Sequence, residues 1–215
     1  MKRIPIIPGE YYHVYNRGVD KRIIFEEKAD LRLFLSYFKK LNTKEALGGL
    51  RKMKFSKVRG STSSEGGLVE IIAFCLNPNH FHLILSPLVD GGVQKFMQRI
   101  GTGYTMYFNE KYKRSGSLFQ GKYKIKHIKT NEYLLYLGAY VNLNYVVHGY
   151  KEEDLYASSL MEYVSHETSK SFTTPAIIRD QYQSGEEYRL DALEVVRSIY
   201  QKRQDDLRFN DILLD

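Results

Sequence analysis

The spacing of apolar positions divides most of the chain into short elements. From Tyr11 to Asn16 polar and apolar residues alternate among β-formers, and the run stops at Arg17-Gly18, which predicts a strand entering a turn. Leu31, Phe34, Leu35, Phe38 and Leu41 recur at intervals of three and four, placing one apolar stripe on a helix over about Lys28–Leu41. Thr43–Gly67 loses this period, collects Gly, Ser, Lys and Arg, and reads as a mobile basic loop. Leu68–Leu76 and His80–Leu85 are apolar runs on either side of Asn77-Pro78-Asn79, a turn sequence, so they predict an antiparallel pair. Val93, Phe96, Met97, Ile100, Tyr104, Tyr107 and Phe108 mark a second helix over about Gly92–Lys111. A strand over Tyr123–Ile128 follows, then a helix over Glu132–Val147 with Thr130 or Asn131 as its cap.

The resulting order, β-α-β-β-α-β-α, predicts an α+β fold. Its form is a ferredoxin-like antiparallel sheet with helices on one face and the other left for a ligand, plus one extra helix and a C-terminal extension. We divide the chain into a domain over residues 1–160, carrying 43–67 as a flexible basic insertion, and an acidic, partly helical extension over 161–215. In the extension, Leu190, Leu193, Val196 and Tyr200 outline an amphipathic helix around Glu187–Gln201.

Composition narrows the class. A chain of 215 residues that is 43% hydrophobic suits a globular domain with an appendage. The single cysteine, Cys75, rules out an internal disulfide and a multi-cysteine zinc site. No apolar run reaches the ~18–20 residues of a membrane span, and Met1-Lys2-Arg3-Ile4-Pro5 lacks a secretory pattern, so the expected location is cytoplasmic, near the nucleoid. The net charge of +7 conceals a split: residues 1–130 hold 24 Lys and Arg against 10 Asp and Glu, whereas residues 131–215 hold 8 against 15. Basic residues inside patterned, foldable sequence point to a polyanion such as nucleic acid.

His80-Phe81-His82 is the sharpest chemical signal. Residues two apart on a strand project to one face, so both imidazoles can reach one metal ion while Phe81 enters the core; two histidines satisfied by backbone partners are the plainer reading of a bare H-x-H. Tyr136, Tyr140 and Asn144 share a helical face at spacings of four. Asn144 offers an oxygen to complete a two-His, one-amide site suited to Mg²⁺ or Mn²⁺, and Tyr140 beside it offers a nucleophile. Against this, helical tyrosines mostly pack, and an Asn near a helix end is often a cap.

Cys75-Leu76-Asn77-Pro78-Asn79-His80-Phe81-His82-Leu83 resembles the M-P-N-H-x-H-L motif of the single-tyrosine HUH transposases, especially the REP-associated tyrosine transposases. Tyr12-His13-Val14-Tyr15-Asn16-Arg17-Gly18 is similar to that family's opening strand and turn. Phe96–Asn109 and Gly116–Lys124 resemble its central helix and basic strand entry, and Tyr140-Val141-Asn142-Leu143-Asn144 its Y-I-H-L-N segment. The resemblance runs over about residues 10–160. Two departures stand out: Tyr145 occupies a position where relatives commonly have Pro, and Tyr156-Ala157-Ser158-Ser159 stands where many have Trp-Ser-Ser.

The resemblance implies a metal-dependent single-stranded DNA endonuclease and strand transferase acting near DNA hairpins. Tyr140 would form a 5′-phosphotyrosine intermediate, and His80, His82 and Asn144 would hold Mg²⁺ or Mn²⁺. Arg17, Lys21, Arg22, Arg99, Lys122, Lys124 and Lys126 are candidates for the DNA phosphates. The last three alternate on the predicted strand and share one face, which suits a DNA track as well as a solvated surface. Partners are hairpin-bearing single-stranded DNA and no membrane, with a monomer or a homodimer both compatible. The alternative is a domesticated, catalytically weak protein that binds structured nucleic acid; a relaxase or replication-initiation nuclease ranks third, because those embed the second histidine and tyrosines in different segment orders. The sign of the acidic tail suggests that it folds over the basic face.

Overall fold

A computed structural model describes residues 5–46, 66–151, 153–165 and 172–212. Its elements are β1 (Tyr11–Arg17), α1 (Lys28–Lys40), β2 (Val69–Asn77), β3 (His80–Pro87), α2 (Gly92–Lys111), β4 (Lys124–Ile128), α3 (Asn131–Asn142), α4 (Asn144–Val147), β5 (Ala157–Ser158), α5 (Leu160–Val164), α6 (Ala176–Arg179) and α7 (Gly185–Ile212). The sheet runs β4-β1-β3-β2-β5 with every neighbouring pair antiparallel. Two crossovers through α1 and α2 generate the four-strand ferredoxin-like order, and β5 extends its edge.

Alternation along the strands supplies two cores. On one face Tyr12, Val14, Phe74, Leu76, Phe81, Leu83 and Leu85 pack with Phe34 and Phe38 of α1 and Phe96, Ile100 and Tyr104 of α2. On the other, Ala73, Cys75 and Ile84 pack with Leu134, Leu137 and Val141 of α3 and Tyr188, Ala192 and Val196 of α7. The helices α1 and α2 cover one face as predicted. The second face is open only in part, because α3 and α4 cover its β2–β3 side, with α7 packed behind them; what stays exposed is the edge with Lys124 and Lys126. The acidic extension therefore does not lie over the basic lysines. Its long helix packs on α3, α4 and α5, since Tyr188, Ala192 and Val196 give it an apolar stripe that the sheet's second core absorbs.

The predicted helix 132–147 is two helices. Thr130 caps α3 by accepting from the Tyr133 N–H, and the chain leaves α-helical geometry at Leu143 before Asn144 opens α4. Of the basic segment 43–67, residues 47–65 lie outside the described residues. Its root is clamped: Asn42 donates to the Val69 carbonyl and accepts from the Leu68 and Val69 N–H groups. Gly18 has to be glycine at the turn after β1, because a Cβ there would sit 2.2 Å from the Arg22 carbonyl oxygen.

Asp30 ties α1 to the end of α2. Its buried carboxylate accepts from Lys111 at 2.5 Å, from the hydroxyls of Tyr107 and Tyr112 at 2.7 Å each, and from the Glu26 and Glu27 N–H groups. Burial pushes its pKa up, but these donors outweigh burial and leave it below the ordinary carboxylate value. A depressed native pKa contributes stability above the unfolded value near ~3.9, and that contribution is lost as pH falls through the native value. Asp30→Asn is expected to cost about 2–4 kcal/mol at pH 7 in urea unfolding, and the difference from the parent should shrink as pH drops below about 4.

Candidate active site

The site is assembled by sheet register. Tyr15 and Arg17 of β1 oppose His82 and His80 of β3, which in turn oppose Cys75 and Asn77 of β2. From β4, Lys126 and Lys124 oppose His13 and Tyr15. Partners directly opposite share a face, so one surface carries His13, Tyr15, Arg17, Asn77, His80, His82, Lys124 and Lys126, and α3 crosses it with Tyr140. The Tyr140 ring stands edge-on to His82, with centroids 5.6 Å apart, and to His13 at 6.4 Å. Sequence spacing placed His80, His82, Tyr140 and Asn144 together, and the fold does bring all four to one spot.

The hydrogen bonds define which atoms remain available. His80 Nδ1 lies 2.6 Å from the Asn79 side-chain oxygen, which can only accept, so Nδ1 carries the proton and the Nε2 lone pair points inward. Nε2 is 3.0 Å from Asn144 Oδ1, and the Asn77 amide nitrogen donates to both, at 2.9 and 2.7 Å. His82 Nδ1 meets His13 Nε2 at 2.8 Å, which leaves His82 Nε2 for another partner. Burial, aided by the charge of Lys126, lowers His13 to about 4. Burial with His148 and Arg17 nearby lowers His80 to about 4 against the Asn144 hydrogen bond. His82 falls well below its ordinary value through burial and its histidine neighbours. All three rings are therefore neutral at pH 7, the state in which imidazole ligates metals.

This donor set fits a divalent ion. Two acceptors, His80 Nε2 and Asn144 Oδ1, converge at 3.0 Å, and neighbouring ligands of an octahedral ion at about 2.1 Å sit roughly 3 Å apart. Asn144 is fully buried, yet its Nδ2 has no hydrogen-bond partner, an arrangement that costs about 1–3 kcal/mol unless the amide serves another purpose. Among the described residues no three His, Cys, Asp or Glu side chains are grouped to hold a metal; the oxygen beside His80 is that of the Asn144 amide. His13 and Asn79 orient the two imidazoles from behind, as outer partners of metal-binding histidines do. Cys75 shares this face, but burial pushes its thiol up to about 12, so it stays protonated and inert.

Buried polar contacts hold α3 in place. Asn142 donates to the Tyr188 hydroxyl of α7 at 2.6 Å and accepts from Ser159 at 2.5 Å, while Ser159 also accepts from the Phe74 N–H of β2. At the entry to α7, a Cβ on Gly185 would lie 2.1 Å from the Val164 carbonyl oxygen, so only glycine permits that approach. The two departures from the family pattern meet here as well: Tyr145 and Tyr156 stack with centroids 4.0 Å apart and planes within 8°. The stack ties α4 to the segment before β5.

The predicted phosphate contacts divide. Arg17, Lys124 and Lys126 lie exposed on the site face, with Lys124 Nζ 5.9 Å above the Tyr15 ring. Lys122 is exposed just before β4, and Lys21 and Arg22 are exposed in the turn whose Lys21 carbonyl accepts from Asn79. Arg99 is a correction. It is buried, and its guanidinium donates to the carbonyls of Leu41, Thr43 and Glu45, so it organises the root of the 43–67 segment and faces inward, away from a surface DNA could reach. Sequence reading missed His13 and Asn77 as site residues. The signal for His13 was its place on the predicted first strand, two residues from Tyr15, but its partner is 69 residues away.

Comparison with known proteins bears on the sequence and the fold. Residues 52–144 match the sequence model of the IS200-like transposase family, a span that holds His80, His82, Tyr140 and Asn144. The fold resembles that of a REP-associated tyrosine transposase solved bound to a REP hairpin, with a TM-score of 0.50 and 14% identity over 81% of this chain and 93% of the other. No curated protein matches the chain. The family match covers less than half of the chain and includes the H-x-H strand and the tyrosine helix.

Tyr188→Phe leaves the Asn142 amide without its buried acceptor. It is expected to lower stability by about 1–3 kcal/mol in urea unfolding, and Ser159→Ala by a similar amount; a double variant should lose less than the sum, because the three groups form one chain.

Proposed function

We propose that this protein is a transposase of the IS200-like kind, a metal-dependent single-stranded DNA endonuclease and strand transferase that works beside DNA hairpins. The observation that carries the reading is Tyr140 edge-on to His82 in the same pocket as the His80–Asn144 acceptor pair. His80, His82 and Asn144 would hold Mg²⁺ or Mn²⁺, which when bound polarises the scissile phosphate and neutralises the charge that develops on it.

The chain's own groups do the remainder. Tyr140 attacks phosphorus in line with the departing 3′ oxygen: a bond from the phenolic oxygen to phosphorus forms, the bond from phosphorus to the 3′ oxygen breaks, and the phenolic proton ends, in net balance, on that oxygen. The products are a 5′-phosphotyrosine and a free 3′-hydroxyl. Attack by a 3′-hydroxyl reverses the step and reseals a strand, returning the proton to Tyr140, so the energy of the phosphodiester is retained. The packing of α3 against the sheet of its own chain supports a Tyr140 that serves the site of its own subunit. Arg17, Lys124 and Lys126 bind the phosphates on either side of the reacting one. The hairpin as partner is carried over from the relative solved with one, to which this fold is similar.

Incubation with hairpin-bearing single-stranded DNA and Mn²⁺ or Mg²⁺ is expected to yield a covalent adduct on denaturing gels, abolished by Tyr140→Phe and by His82→Ala. An adduct that survives Tyr140→Phe overturns the nucleophile; binding without cleavage across metals and hairpins favours a nucleic-acid-binding protein instead. Replacing both Lys124 and Lys126 by Ala should reduce the dependence of log affinity on log salt for single strands by about 1.4, measured by titration at several salt concentrations.

A further inference from the structure

The flank of α3 that presents Tyr140 to His13 and His82 also carries Tyr136 and Tyr133. Spacings of four and three put the three side chains within one narrow arc of the helix. The adjoining side of α3 is core, through Leu134, Leu137 and Val141. Tyr133 and Tyr136 are nevertheless 38% and 39% exposed, and their rings lie nearly parallel, within 13°, with centroids 6.3 Å apart. Each keeps more than a third of its surface open, so the stacked pair presents aromatic area to solvent. Lys124 and Lys126 on β4 are exposed on the same sheet face, and Lys126 opposes His13, the ring that Tyr140 meets edge-on. Aromatic faces for bases beside cations for phosphates are what single-strand binders combine.

We propose that Tyr133 and Tyr136 form a stacking site for unpaired bases of single-stranded DNA, guiding the strand along α3 to Tyr140. The site rests on the single-strand reading above and adds to it a place for the bases. Stacking tolerates any base, so the pair contributes affinity and direction rather than sequence choice. Phenylalanine can replace tyrosine in this role, whereas alanine or leucine cannot.

The test separates this site from cleavage. Fluorescence anisotropy with a labelled single-stranded oligonucleotide, in EDTA and with every variant built on Tyr140→Phe, reads binding with neither metal nor nucleophile. The pair Tyr133→Ala and Tyr136→Ala is expected to weaken binding at least fivefold, and Tyr133→Phe with Tyr136→Phe to stay within twofold. Affinity for a blunt hairpin lacking single-stranded flanks should not change. Unchanged single-strand affinity for the alanine pair overturns the proposal, and so does an equal loss in the phenylalanine pair or on the blunt hairpin. Thermal melting of the alanine pair within a few degrees of the parent keeps a binding loss from being a folding loss. Failure to form the covalent adduct in the unaltered protein counts against the cleavage reading alone.

Discussion

The register between β1 and β3 is the constraint on which the rest depends. Pairing Tyr15 with His82 and Arg17 with His80 puts every second residue of both strands on the site face and sends Val14, Phe81 and Leu83 into the α1–α2 core. A slip of one residue would bury the imidazoles among phenylalanines and expose the apolar set, so burial of that core specifies the chemistry on the other side. The turn geometry reinforces it: the Gly18 N–H donates to the Asn79 carbonyl, locking the start of β3 against the end of β1. His80 and His82 therefore begin their strand at one height above α3, and the same backbone bond that aligns the sheet positions the site.

The site face is expensive to build. His13, Asn77, His82 and Asn144 are all buried polar side chains, and the amide nitrogen of Asn144 is left without a partner. A purely structural solution would replace such groups with aliphatic ones, as the neighbouring Ala73 and Ile84 show on the same face. Neutral imidazoles and a back-bonded amide, converging beside a tyrosine, make sense as a ligand set held ready before substrate arrives, with its orienting partners already in place. Such pre-organisation is bought with folding stability, and the apolar clusters on both sheet faces supply it.

The C-terminal extension joins this economy as a structural part of the tyrosine helix's support. Without α7, the side of α3 that bears Leu134, Leu137 and Val141 would lack Tyr188, Ala192 and Val196, and Asn142 would lose its hydroxyl partner. The described part of the extension packs on α3, α4 and α5, and Lys124 and Lys126 of β4 stay exposed.

Local periodicity determined much of this protein. The three long helices of the main domain, the strands around them, the Asn-Pro-Asn turn, the two-residue spacing of His80 and His82, and the four-residue spacing of Tyr140 and Asn144 are all readable because they arise from backbone repeats that neighbouring residues set. What tertiary structure alone decided is who meets whom across long separations. It made His13 the partner of His82, gave Asn77 to His80 and Asn144, turned Arg99 inward to backbone carbonyls, and stacked Tyr145 on Tyr156. It also ended α3 at Leu143, where a continuous heptad-like pattern had promised more helix, because Asn144 is drawn into the buried knot with His80. These pairings depend on the energy of burying particular side chains against remote ones, and that energy has no period along the chain.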